Sequence, residues 1–158
     1  MSLDDYDFST ADAGAAHTFN MEAGQICVGG YICTNGKASK VTAMHISKTG
    51  KHGHAKCTFT SNDIFNGKKY DTMMPSTQTI LVPNIKRYEY ELVNITDDHF
   101  TTLMTLDGNI RENIMLPDFP SSFSKEIRTK FENTDKTWLI TVFSAMGHDQ
   151  IIAIKEDV

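Results

Sequence analysis

Three hairpin-type dipeptides, Asn35-Gly36, Asn66-Gly67 and Asp107-Gly108, divide the chain into short runs of β-branched and aromatic residues. Asn-Gly and Asp-Gly suit tight hairpins because the central positions need positive φ, which Gly tolerates freely and Asn or Asp tolerate better than most. No 3.6-residue apolar periodicity appears before residue 120, so helical bundles and doubly wound α/β folds are excluded for most of the chain. Short strands at this spacing predict an all-β protein built from small closed or partly closed barrels. At 158 residues there is room for one ordinary domain or two small ones.

The break between two such barrels falls at Leu81-Val82-Pro83-Asn84, because Pro83 cannot donate to a sheet and restricts the residue before it. The second half is the clearer. Arg87 to Ile95 alternates like a half-buried strand, and Phe100–Leu106 and Ile110–Leu116 supply two more. Ser121 or Ser122 can then cap a helix whose buried stripe is Phe123, Ile127 and Phe131, at i, i+4 and i+8. Trp138–Phe143 and Ile151–Ile154 close the chain. Three strands, one helix and two strands is the element order of an OB-fold.

Charge is segregated along the chain. Residues 1–16 carry four Asp and no Lys or Arg, a net of −4; residues 17–83 carry seven Lys against three acids, a net of +4. Residues 84–158 return to −5, with eight basic and thirteen acidic residues. A basic stretch inside an acidic chain points to a localised anionic partner. The acidic opening Met1–Asp7 has no apolar run, so no signal peptide is expected, and no run approaches the length of a membrane span. Three cysteines without an export signal read as free thiols, with Cys27 and Cys33 expected in the core.

Three of the seven lysines lie in Ser47-Lys48-Thr49-Gly50-Lys51-His52-Gly53-His54-Ala55-Lys56, which contains no acid and no large apolar residue. Apolar-rich extended segments flank it, so it is expected at a hairpin tip that holds Lys51 away from the protein body. It is not a phosphate-binding P-loop: position 45 is His rather than Gly, and His52 rather than Ser or Thr follows Lys51. Nor is a metal site expected of His52 and His54 with His45 and Cys57, because the ligands are few and surrounded by lysines that repel a cation. No nucleophile elbow, catalytic carboxylate pair or dinucleotide glycine motif is present, so the chain does not read as an enzyme. Tyr88, Tyr90, Phe100 and Trp138 could stack on single-stranded RNA, but their alternation makes most of them core residues.

The decapeptide resembles the modification loop of the eukaryotic translation initiation factor 5A family, the family that carries hypusine. Ala11-Asp12-Ala13-Gly14, Asn35-Gly36-Lys37, Asp63-Ile64-Phe65-Asn66-Gly67-Lys68-Lys69, Pro75-Ser76-Thr77 and Ser144-Ala145-Met146-Gly147 extend the resemblance over nearly the whole chain. Lys37-Ala38-Ser39-Lys40, His45-Ile46 and Gln78 depart from the usual family residues, all outside the decapeptide. The resemblance implies an acidic flexible tail (1–16), an SH3-like barrel carrying the loop (17–83) and an OB-fold domain (84–158). It further implies that Lys51 accepts an aminobutyl group from spermidine through deoxyhypusine synthase and is then hydroxylated by deoxyhypusine hydroxylase. No bound cofactor is implied. Lys48, Thr49, Gly50, His52, Gly53, His54 and Lys56 would complete a loop that contacts tRNA and the ribosome. The implied partners are large-subunit rRNA near the ribosomal exit site, and peptidyl-tRNA, held to promote peptide-bond formation, at polyproline stalls as elsewhere, and termination. No membrane partner is implied, and a weak homodimer is a further expectation. The implied compartment is the cytoplasm, with the nucleus as a second. Two alternatives differ in class: a generic RNA-binding pair of barrels acting through an unmodified loop, and a small metal enzyme using the loop histidines.

Overall fold

The computed structural model describes residues 17–48 and 55–158. The acidic tail and the six residues Thr49 to His54 lie outside the described residues. The described chain forms eleven strands, a single turn of 3-10 helix at Ala23–Gln25 and one α-helix, and it divides into two compact units. One unit ends at Asn84; the other comprises Ile85–Val158 together with Phe65–Gly67.

The first unit holds β1 (Thr18–Glu22), β2 (Tyr31–Thr34), β3 (Lys37–Lys48), β4 (Ala55–Asp63), β5 (Lys69–Pro75) and β6 (Thr79–Pro83). Strands β2-β3-β4-β5 form an antiparallel sheet in that order, β1 pairs with β6, and β6 also runs against β2. This is the curled two-sheet arrangement of an SH3-like barrel. Asn35 and Gly36 both take positive φ (52° and 74°), making the tight turn between β2 and β3 that their types predict. The core contains Ile26, Ile32, Val41, Cys57, Phe59, Ile80 and Val82. Burial of a side chain such as the fully enclosed Phe59 stabilises the unit by about 1.5–3 kcal/mol.

The second unit holds β7 (Lys86–Ile95), β8 (Phe100–Met104), β9 (Ile110–Met115), helix α1 (Phe123–Phe131), β10 (Trp138–Ala145) and β11 (His148–Glu156). Its sheet order is β9-β8-β7-β10-β11, every pair antiparallel, which is the OB-fold. Phe123 and Ile127 of α1 pack on Leu92, Leu103, Trp138, Ile140, Val142 and Ile151, with Phe131 half-buried beside them. The two edge strands, β9 and β11, approach each other, and an ion pair between Arg111 and Asp149 spans them. No described helix is long and apolar enough to cross a membrane.

Three local expectations are corrected. Strand β8 stops at Met104 rather than Leu106, and Leu106 is fully exposed. Gly108 (φ 86°) closes a three-residue loop in which Thr105 N donates to Asn109 O at 2.9 Å, so Leu106 occupies the loop tip. Ser122 precedes α1 as expected, but its hydroxyl makes no cap because its backbone is already helical (φ −93°, ψ −2°). Phe123 N donates to Pro120 O instead, so a turn feeds the helix. Cys27 is exposed and Cys33 only half-buried, whereas Cys57 is the cysteine in the core. Cys27 begins a turn in which Gly30 N donates to its carbonyl, and that turn carries the side chain outward.

Candidate functional site

Strands β3 and β4 pair from Ser39↔Asp63 up to Lys48↔Ala55, so the predicted loop residues 49–54 connect two strands held in register to their ends. This hairpin continues past the core. The last four residues of β3, His45 to Lys48, are all exposed. Along β4 burial alternates without a break: Cys57, Phe59, Ser61 and Asp63 point inward, while Lys56, Thr58, Thr60 and Asn62 point outward.

The root of the hairpin is fixed by backbone contacts. Pro75 ends β5 opposite Lys56, and the next amide, Ser76 N, donates to Ala55 O at 2.9 Å. Ser76 O in turn accepts from Gly24 N at 2.8 Å, and Gln78 O accepts from Ala23 N at 2.9 Å. A Cβ on Gly24 would stand 3.2 Å from Ser76 O, so glycine there permits the close approach. Sequence reasoning singled out Ser76 only as a motif member. A glycine and a serine far apart in the chain carry no signal that they meet.

The register settles which way the predicted lysines face. Lys56 lies opposite Ser47, and Lys48 lies opposite Ala55. Directly opposed residues share a face, so Lys56 is on the outward face and Lys48 is on the inward face, beyond the edge of the core. Ile46, inward and half-exposed beside Lys48, belongs to the same overhang. Lys48 and Lys56 were expected to act together, yet they project from opposite sides of the ribbon. Thr49, Gly50, Lys51, His52, Gly53 and His54 lie outside the described residues.

Outward partners below Lys56 follow in rows across the sheet: His45, Thr58 and Met73, then Thr60 and Asp71, then Lys40, Asn62 and Lys69. A bulge between Val41 and Ala43 inserts Thr42, whose hydroxyl donates to Thr60 O at 3.2 Å. Among the described residues Lys40, Lys56 and Lys69 make no ion pair. The second unit differs: Arg87 and Lys155 meet Glu89, Lys130 meets Glu126, Lys136 meets Glu156 and Arg111 meets Asp149.

The cleft of about 370 Å³ at the open seam between β9 and β11 is a poorer anion site. Its guanidinium, Arg111, is already occupied by Asp149, by Tyr90 OH at 3.1 Å and by Asn113 Oδ1 at 2.8 Å. Of the four candidate stacking aromatics, Tyr90 and Trp138 are buried and Phe100 is half-buried. Tyr88, the most exposed of the four, lies against Tyr90 with ring centroids 6.2 Å apart.

The family described as "Translation initiation factor 5A-like, N-terminal" matches residues 16–78, and "Eukaryotic elongation factor 5A hypusine, DNA-binding OB fold" matches residues 84–155. Eukaryotic translation initiation factor 5A-3 of Solanum tuberosum is 43% identical over 157 residues, which cover 99% of this chain and 97% of that protein. The Zea mays factor 5A is also 43% identical, over 94% of this chain and 91% of its own. Among solved structures, a factor 5A family protein from Naegleria fowleri matches with a TM-score of 0.81 and 36% identity, covering 89% of this chain and 99% of that one.

Proposed function

Because the chain belongs to the eukaryotic translation initiation factor 5A family, a family of translation factors, we propose that it acts on the ribosome through a hypusine formed at Lys51. The observation that carries this reading is the intact decapeptide Ser47–Lys56, rooted on a hairpin that stays paired up to Lys48↔Ala55.

Modification would suit this position chemically. An aminobutyl group from spermidine followed by hydroxylation gives one arm with a secondary ammonium, a hydroxyl and a terminal ammonium. It adds one positive charge and roughly doubles the reach of lysine. Arginine is no substitute, since its delocalised guanidinium is a poor nucleophile and has a different shape. Such an arm can follow a narrow, phosphate-lined passage that admits no folded domain.

Binding near the ribosomal exit site would bring the arm toward the acceptor end of peptidyl-tRNA. Peptide-bond formation depends on holding two reactants in attack geometry, and a wandering peptidyl-tRNA loses that advantage. Contacts from the arm and the loop would restore it, most of all at consecutive prolines and at stop codons. The catalyst remains ribosomal RNA. Deoxyhypusine synthase and deoxyhypusine hydroxylase are the modifying partners, and the chain divides into a tail, 1–16, a barrel, 17–83, and an OB-fold domain, 84–158.

Peptide mass mapping of protein from its native cell tests the reading. An aminobutyl-plus-oxygen increment on Lys51 is expected, and Lys51→Arg should fold within about 0.5 kcal/mol of the parent because a hairpin tip contributes little burial. A Lys51→Arg protein that sustains growth as the sole copy would refute the proposal and favour the unmodified RNA-binding alternative.

A further inference from the structure

We propose that the first barrel has a binding site for one internal water molecule between the hydroxyls of Ser39 and Ser61, at the end of the β3–β4 hairpin away from the loop. Both residues are fully enclosed, yet neither hydroxyl finds a hydrogen-bond partner among the described residues. Such a site stands whether or not the translation-factor reading does.

The orphaned hydroxyls are aligned rather than scattered. Ser39 opposes Asp63, and Val41 opposes Ser61, so Ser39 and Ser61 are diagonal neighbours on the inward face of β3 and β4. Thr34, whose Oγ1 is enclosed and also without a partner, continues the same diagonal onto β2, because it opposes Lys37, two residues before Ser39. A polar row thus crosses β2, β3 and β4 inside a core otherwise built from Ile32, Val41, Cys57 and Phe59. Asp63, only 3% exposed, lies on that face directly opposite Ser39, and a carboxylate can accept several hydrogen bonds.

Energy and geometry both favour a bridging water. A buried hydroxyl left without a partner carries its desolvation penalty in full, equivalent to roughly a five- to hundredfold drop in the folding constant. Diagonal neighbours on an antiparallel pair have Cβ atoms about 7 Å apart or less. Hydroxyls leaning towards each other across that gap are too far apart for a direct bond, but one water at about 2.8 Å from each spans up to about 5.6 Å. Ser39, Ser61 and Asp63 would give it three polar neighbours, the usual number for an internal water. A metal ion is the poorer occupant, because one carboxylate among neutral hydroxyls supplies a single charge, and no group of three His, Cys, Asp or Glu side chains gathers among the described residues. The water would also act as a register lock. A slip of one residue would turn Ser39 and Ser61 away from each other's face, and the same hairpin carries Lys48 and Lys56 at its other end.

The test turns on a sign. Ser39→Ala, Ser61→Ala and the double variant are made in the full chain, and native-state hydrogen exchange of the β3 and β4 amides reads the opening of the first barrel. With a water bridging the pair, each single substitution removes one of its partners, and the opening constant should rise about five- to tenfold. The double variant has no hydroxyl left to satisfy, so its effect should be smaller than the product of the two singles. Bare hydroxyls would give the opposite sign: each alanine would relieve a buried unpaired group and increase protection, overturning the proposal, as would unchanged protection in both singles. A direct readout accompanies the exchange. Nuclear Overhauser transfer from a long-lived water to the amides around Ser39 and Ser61 is expected in the parent and should vanish in the double variant. Lost protection that multiplies between the two sites, with no water signal in the parent, would give the serines a packing role alone and overturn the site.

Discussion

Asp149→Asn tests the closure of the OB barrel. The substitution keeps the shape of the side chain and removes its charge, so the Arg111 guanidinium meets a neutral amide oxygen in place of a carboxylate. Side-chain exposures of 27% for Arg111 and 30% for Asp149 put the pair mostly out of water. Hydrogen bonds to charged groups contribute about 1.5–3 kcal/mol. Residual solvent screening places the expected loss near 2 kcal/mol. Trp138 is the only tryptophan and is buried in the second unit, so its fluorescence reports unfolding there in the full chain. With a urea dependence of about 1 kcal/mol/M for a unit this small, the midpoint should fall by about 2 M.

The same pair predicts a pH dependence. Burial by itself would raise the Asp149 pKa, but hydrogen bonds from Ser144 and Arg111 and the Arg111 charge outweigh it and hold the carboxyl below its ordinary 3.8. A depressed folded-state pKa gives stability that is complete above the unfolded value and is lost as pH falls through the folded one. The gap between parent and Asp149→Asn should therefore be constant from pH 5 to 8 and close progressively below about pH 4. A gap unchanged at pH 2.5, or one smaller than about 0.5 kcal/mol at pH 7, would show that the ion pair does not hold the seam.

Gly24→Ala should press on Ser76, where the contacts of 3.2 Å to its oxygen and 3.4 Å to its Cβ leave no slack; the expected cost is about 1–2 kcal/mol. Because Ser76 anchors Ala55, deoxyhypusine synthase turnover should fall as well, and unchanged melting and turnover would refute the anchoring role. Alkylation of the native chain at pH 8 should label Cys27 first and Cys57 last. Cys27 is exposed, while burial pushes the Cys33 and Cys57 thiols up and lowers their thiolate fraction. Peptide mapping that finds Cys57 reacting as fast as Cys27 would contradict the burial.

The parts of this fold that could be read in advance are those with a local physical cause. Asn35-Gly36 makes its turn because both residues tolerate positive φ, and Phe123, Ile127 and Phe131 form a stripe because helical spacing makes one. The OB element order followed from these periodicities alone. What could not be read depends on partners distant in sequence. Leu106 looked like a strand residue because it ends an apolar run, but Gly108 three-dimensionally fixes the loop and sends Leu106 to its tip. Ser122 looked like a cap by type, and the incoming turn from Pro120 had already supplied the acceptor. Lys48 and Lys56 both sit beside the loop in the sequence, and only the pairing of Ser47 with Lys56 reveals that they face opposite ways.

That pairing also explains how one strand can serve the core on one side and carry charge on the other. Along β4 the inward set, Cys57, Phe59, Ser61 and Asp63, is separated from the outward set, Lys56, Thr58, Thr60 and Asn62, by the two-residue period of the strand. Charge on the outward set can change without altering the volume of the core. A slip of one residue would instead bury Lys56 and expose Phe59, so the core itself enforces the register that aims the lysines. The bulge at Thr42 absorbs the extra residue of β3 and lets His45 and Ser47 rejoin the outward face above it. Carboxylate partners satisfy several cations of the acidic second unit, whereas Lys40, Lys56 and Lys69 of the first have none among the described residues. The overall charge of −5 therefore hides a sheet face of the first unit whose lysines make no ion pair among the described residues.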